Sequence, residues 1–147
     1  ERFDATVLLE HYHLYGVLNG LVSAGAAAEA TPETIARLKG FYGAMRVENF
    51  ANSAWRYRQM LVDRHAGPRL RAAIAAAQTF IPREFWADHL HAPQTLIQHY
   101  EAETDAIAGG DPDAARIACE TGATLMGRTM LAELVRRGVL APSLHSE

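Results

Sequence analysis

The sequence predicts an all-α fold, an antiparallel bundle of about six to seven helices forming one domain over residues 1–147. Three observations carry this expectation. Alanine, the strongest helix former, occurs 27 times in 147 residues. Runs of β-branched residues in period-two alternation, the mark of strands, do not occur. Proline, glycine and N-capping side chains recur so as to cut the chain into helix-length pieces with short connections, which favours antiparallel neighbours.

The first helix is expected from about Asp4 to Ala28, with Val7, His11, Leu14, Leu18, Leu21 and Gly25 on one stripe and further apolar residues beside it, so that it packs on several sides. Thr31-Pro32-Glu33-Thr34 supplies an N-cap, a proline at the first helical position and an acidic first turn, opening a second helix to about Met45. A third covers roughly Glu48 to His65, and Gly67-Pro68 stops it. The fourth runs through an alanine-rich body to about Phe80 before Pro82 interrupts it. Residues Glu84 to His91 read as either helix or loop. Pro93 starts a fifth helix that Gly109-Gly110 ends. Asp111-Pro112-Asp113 caps a long sixth helix finishing near Gly138, and the tail after Pro142 is expected to be loose. No internal repeat, low-complexity tract or interdomain linker interrupts this order.

With 49% hydrophobic and 21% charged residues, the composition is that of an ordinary soluble globular domain. A chain of this size buries about 68–70% of its unfolded surface, so neither metal nor disulfide is needed to hold it. The one cysteine, Cys119, excludes an internal disulfide framework and fits a reducing, cytoplasmic setting. No run approaches the ~18 apolar residues of a membrane span, and Glu1-Arg2-Phe3-Asp4 lacks signal-peptide organisation and an initiator methionine, so a longer gene product is expected upstream. A net charge of −3 argues against this piece gripping nucleic acid itself, because such grips gather Lys and Arg against phosphates.

Seven histidines invite a metal reading, but His11 with His13 and His89 with His91 are two apart, and ligands on one helix face need a spacing of three or four. Glu10 and His13 have the Glu-x-x-His spacing of di-iron bundles without the second copy those require. His99 and Glu103, four apart, read as a solvated helix pair before a catalytic dyad. No Ser/His/Asp set, phosphate loop or Cys/His nucleophile signature is present, so no enzyme activity is expected. Arg58 is more informative: Phe50, Ala54, Tyr57, Leu61 and Val62 share a stripe of the third helix, and Arg58 lies inside it. Either its head finds an anion, from a protein carboxylate or a bound ligand, or it lies at the stripe edge and snorkels to water. Arg56, Arg64, Arg69 and Arg71 read as a solvated basic cluster. On the fifth helix Leu96, Tyr100 and Ile107 form the inner stripe, with Glu103 and Thr104 between them, so Tyr100 is expected to point inward. Polar groups on a buried stripe need partners, as in a small-molecule cavity, whereas a lone tyrosine most simply reaches the surface with its hydroxyl.

Taken in order, the segments resemble the FCD domain, the C-terminal effector-binding domain of FadR-subfamily, GntR-type transcriptional regulators. The likeness covers nearly the whole chain. It rests on Leu14 to Leu38 with the stretch AEATPETIARL, on Tyr57-Arg58-Gln59-Met60-Leu61-Val62 and Ala66-Gly67-Pro68-Arg69-Leu70, and on His99-Tyr100 leading into Asp105-Ala106-Ile107 and Gly110-Asp111-Pro112-Asp113-Ala114-Ala115-Arg116. Many members of that family hold a divalent metal through one Asp and three His, and the matching positions here are Ala54, Arg58, Tyr100 and Gly122. No metal and no other cofactor is therefore expected. The resemblance implies a sensor in which Arg58 replaces the cation as anchor for an acidic small molecule, a carboxylate in the simplest case. Tyr100 would donate a hydrogen bond, Ala54 and Gly122 would leave room, and Glu103 and Thr104 would stand alongside. The competing account closes the pocket and pairs Arg58 internally, with Glu103. The resemblance also implies a homodimer that meets operator DNA through an N-terminal winged helix-turn-helix not contained in this chain. Two further readings are a stand-alone helical binding or interaction module and a small helical enzyme using His99 and Glu103.

Overall fold

A computed structural model describes residues 4–79 and 94–140. The readings placed on Phe80, Pro82, Glu84 to His91, Pro93 and the tail after Pro142 lie outside the described residues. Within them the fold is all-α, as the sequence predicts. Six helices follow one another: α1 (Ala5–Glu29), α2 (Pro32–Gly43), α3 (Phe50–His65), α4 (Pro68–Gln78), α5 (Gln94–Ala108) and α6 (Pro112–Arg136), with one 3-10 turn at Val47–Asn49 ahead of α3. No strand occurs among the described residues.

The helix ends are set by local chemistry. Asp4, Thr31 and Asp111 each accept a backbone N–H three residues on, from Val7 at 2.9 Å, Thr34 at 3.2 Å and Ala114 at 3.1 Å. Pro32, Pro68 and Pro112 occupy first-turn positions, where no N–H is needed. Gly110 and Gly138 close α5 and α6 at φ 69° and 74°, a left-handed conformation that costs a side chain-bearing residue about 1 kcal/mol or more.

The two longest helices, α1 and α6, form the spine and run antiparallel. Tyr12 packs on Gly127 and donates its hydroxyl to the Met130 sulfur at 3.4 Å, whereas further along α1 Gly16 faces Glu120 and Ala123, and Gly20 faces Arg116. A Cβ at Gly16 would fall 2.7 Å from that of Ala123, and one at Gly127 2.9 Å from that of Tyr12, so glycine fixes how closely the helices approach. Around this pair α3, α4 and α5 all touch α1, and α2 bridges α3 and α5. Tyr12, Leu38, Tyr57, Leu61, Ile74, Leu96 and Ile107 make up the most deeply buried part of the core.

The inner face of α1 differs from the stripe expected of it. Leu14 and Leu21 are 49% and 52% exposed, and Val7, His11, Leu18 and Gly25 are only half-buried. The buried residues are instead Ala5, Leu8, Tyr12, Gly16, Asn19, Gly20, Val22, Ser23, Ala26 and Ala27. Small residues, not the largest apolar ones, decide the contact, because only glycine lets the α6 backbone come close enough for its neighbours to pack. No helix among the described residues is long and apolar enough to cross a membrane.

Candidate functional site

The inner row of α3 carries Phe50, Ala54, Tyr57, Arg58, Leu61 and Val62, all buried, and the inner row of α5 carries Leu96, Tyr100, Glu103, Thr104 and Ile107. Where these rows face each other, Arg58 is 5% exposed and Glu103 1%. Their charged ends meet fork to fork. Arg58 Nη1 donates to Glu103 Oε2 at 2.6 Å and Nη2 donates to Oε1, the geometry in which a planar guanidinium matches a carboxylate. Ser23 of α1 donates its hydroxyl to Glu103 Oε2, so three helices converge on one carboxylate.

Aromatic rings wall the guanidinium. Its central carbon lies 5.2 Å from the Tyr57 ring centroid and 5.0 Å from that of Tyr100, within cation–π range of both. The two tyrosines meet edge to face with centroids 5.0 Å apart, and Phe50 packs on Tyr100 in the same manner at 5.7 Å. Thr104 donates its hydroxyl to the Tyr100 carbonyl at 2.7 Å; its only hydrogen is thereby used, so Tyr57 is the donor in the 2.8 Å contact between the Tyr57 and Thr104 hydroxyls. Burial raises the Tyr15, Tyr57 and Tyr100 phenols and the Cys119 thiol above their ordinary values, so all four are neutral around the ion pair.

A cavity of about 10 Å³ adjoins the pair and is lined by Tyr15, Arg58, His99, Tyr100, Glu103, Cys119 and Gly122, among others. That is room for about one water. The space beside Gly122 is taken by His99, whose Cβ would lie 3.3 Å from a Cβ placed on the glycine. Of the six residues singled out in the sequence, the structure therefore brings Arg58, Tyr100, Glu103 and Gly122 around one small void. Thr104 stands behind them holding Tyr57, and Ala54 is buried one turn before Arg58 without lining the void.

Two sequence readings are corrected here. Glu103 does not form a solvated pair with His99; the four-three-four spacing of Leu96, Tyr100, Glu103 and Ile107 turns it inward, where Arg58 and Ser23 replace water. Tyr100 is 5% exposed, so its ring is part of the wall and not a route to the surface. Ser23, Tyr57 and Cys119 were not singled out as site residues. Tyr57 was legible as a core position next to Arg58, while a serine within an alanine-rich helix carries no signal of its own. The donor set at Ala54, Arg58, Tyr100 and Gly122 does not suit a divalent ion: it offers a methyl, a permanent cation, a neutral phenol and no side chain. Among the described residues no three His, Cys, Asp or Glu side chains group as metal ligands.

No family model matches the chain. It is 44% identical over 146 residues to proteins named uncharacterized HTH-type transcriptional regulator from two Mycobacterium tuberculosis strains, CDC 1551 / Oshkosh and ATCC 25618 / H37Rv. The match takes in 97% of this chain and 60% of each relative, so the chain spans less than two thirds of the length of the regulators it is similar to.

Proposed function

We propose that this chain is the ligand-sensing domain of a bacterial GntR/FadR-type transcriptional regulator, which binds a small acidic metabolite through Arg58 without a metal. DNA binding belongs, in this reading, to a winged helix-turn-helix outside the chain; the domain itself is cytoplasmic, has no enzyme activity and forms a homodimer. The names of the relatives, the part of their length that this chain leaves uncovered and the ordered resemblance of its segments support the regulator role. Leu14 and Leu21 on α1 and Ile117 on α6, large apolar side chains about half exposed on the paired spine helices, support dimerisation.

The observation that carries the sensing role is the buried, aromatic-walled guanidinium of Arg58 converging with Tyr100 and Gly122 on one void. In the form described here Glu103 already neutralises it and the void holds no more than a water. An acidic effector must therefore displace the Glu103 carboxylate and part α5 from α6, and this displacement is the means by which binding would move the helices. Its leverage is bounded by the difference in affinity between closed and open forms. The competing reading, in which the pair is a permanent structural element, draws on the same tight closure. A thermal-shift screen of small mono- and dicarboxylic acids separates the two. The sensing reading expects at least one acid to raise the melting temperature of the chain and to lose that effect in Arg58→Met/Glu103→Leu, which removes the anchor but keeps an apolar core. A stabilising acid that acts equally on both proteins, or none at all, overturns it.

A further inference from the structure

A second site lies on the solvent side of α2 and α3. Arg37 and Phe41 are one turn apart on α2, and across from them α3 presents the rows Trp55, Gln59, Asp63 and Arg56, Met60, Arg64; together they line a groove of about 340 Å³. That volume is within the range of small-molecule sites, whereas the void at Arg58 is far below it. Met60 is buried at its floor, Phe41 is half-buried and Trp55 is 41% exposed, so the apolar surface is accessible from solvent.

Charge in the groove is one-sided. Arg37, Arg56 and Arg64 are exposed, and none has an ion-pair or hydrogen-bond partner among the described residues. The carboxylate that lines the groove, Asp63, is engaged: it accepts from Gln59 Nε2 at 2.8 Å and lies 3.5 Å from Arg71 Nη1. Three uncompensated guanidinium groups thus surround an aromatic floor in a chain whose net charge is −3. Ring-stacking and bidentate anion recognition are the two things arginine beside tryptophan does best.

We propose that this groove binds a small organic anion with a flat ring, its carboxylate or phosphate taken by Arg37, Arg56 and Arg64 and its ring lying against Trp55 and Phe41. A small molecule is favoured over a nucleic-acid strand because the acidic remainder of the chain repels a polyanion that extends past the groove. The site is independent of Arg58, which is buried on the opposite face of α3.

The test follows the Trp55 indole N–H by proton–nitrogen NMR in the 147-residue chain, assigned by comparison with Trp86→Phe, since Trp55 and Trp86 are its two tryptophans. Benzoate and phenyl phosphate are the probes, and the stronger of the two identifies the preferred anion; inorganic phosphate is the control without a ring. Saturable shifts are expected with at least one aromatic probe, about tenfold weaker with inorganic phosphate and about tenfold weaker again in Arg56→Gln/Arg64→Gln. Binding should persist in Arg69→Gln, which lowers the overall charge outside the groove, and in Arg58→Met/Glu103→Leu, which separates this site from the internal one. No saturable shift, equal binding by inorganic phosphate, or binding indifferent to loss of Arg56 and Arg64 overturns the proposal.

Discussion

Replacing Glu103 by alanine should be among the most damaging single changes to this fold. The carboxylate is 1% exposed and accepts three hydrogen bonds, two from Arg58 and one from Ser23. Its removal leaves a 5% exposed guanidinium between two tyrosine rings with no counter-charge, and unlike a buried lysine this group cannot shed its proton. Breaking a buried pair from one side costs about 3–5 kcal/mol, which for a chain of this length lowers the melting temperature by roughly 10–15 °C. The variant Arg58→Met/Glu103→Leu removes both charges and fills the space with apolar atoms, so it should recover most of that loss or exceed the wild type. Urea unfolding of the wild type, Glu103→Ala, Arg58→Met and Arg58→Met/Glu103→Leu measures this. A loss below about 1 kcal/mol for Glu103→Ala, the range of an exposed pair, would refute the reasoning, as would a double variant no more stable than the worse single one.

Three further outcomes follow from packing and titration. Gly127→Ala places a methyl 2.9 Å from the Tyr12 Cβ and should cost about 1–3 kcal/mol in urea unfolding, whereas Gly40→Ala, inside α2 with nothing within 4 Å, should gain about 0.4–1 kcal/mol. His11, whose Nε2 lies 2.9 Å from the Ala77 carbonyl, has its pKa lowered from 6.5 chiefly by burial, against the raising effect of that hydrogen bond. The unfolded chain therefore binds the proton first. His11 contributes fully to stability above pH 6.5 and loses its contribution as pH falls below that value, so stability measured across this range should decline less steeply in His11→Gln.

Much of the architecture was legible because caps and stops are local. Asp4, Thr31 and Asp111 act through side chains three residues from the N–H they satisfy, and Gly110 and Gly138 through a single backbone angle, so each could be read without knowing the fold. The inward turn of Arg58 was legible as an option, because α3 is apolar on one face and a charge within that stripe stands out. The face of α1 was not, since that helix is apolar nearly all round and its contact is chosen by Gly16 and Gly20 against α6, a pairing distant in sequence. The solvated pairing of Glu103 with His99 misled for a related reason: i,i+4 spacing is visible in the chain, while Ser23 and Arg58 reach Glu103 from other helices, and its pairing with Arg58 entered only as the competing account of the resemblance. The closure of the void depends on how near α5 and α6 pack, which spacing alone does not encode.

The sensing reading stands on Arg58 accepting a foreign carboxylate in place of Glu103. Titrating acetate into Glu103→Ala while recording the nitrogen resonances of the Arg58 guanidinium measures this directly. Saturable, slowed and shifted signals, together with a melting temperature that recovers toward the wild-type value and does so with acetate but not with chloride, are the expected result. Guanidinium signals that do not move with acetate would contradict it.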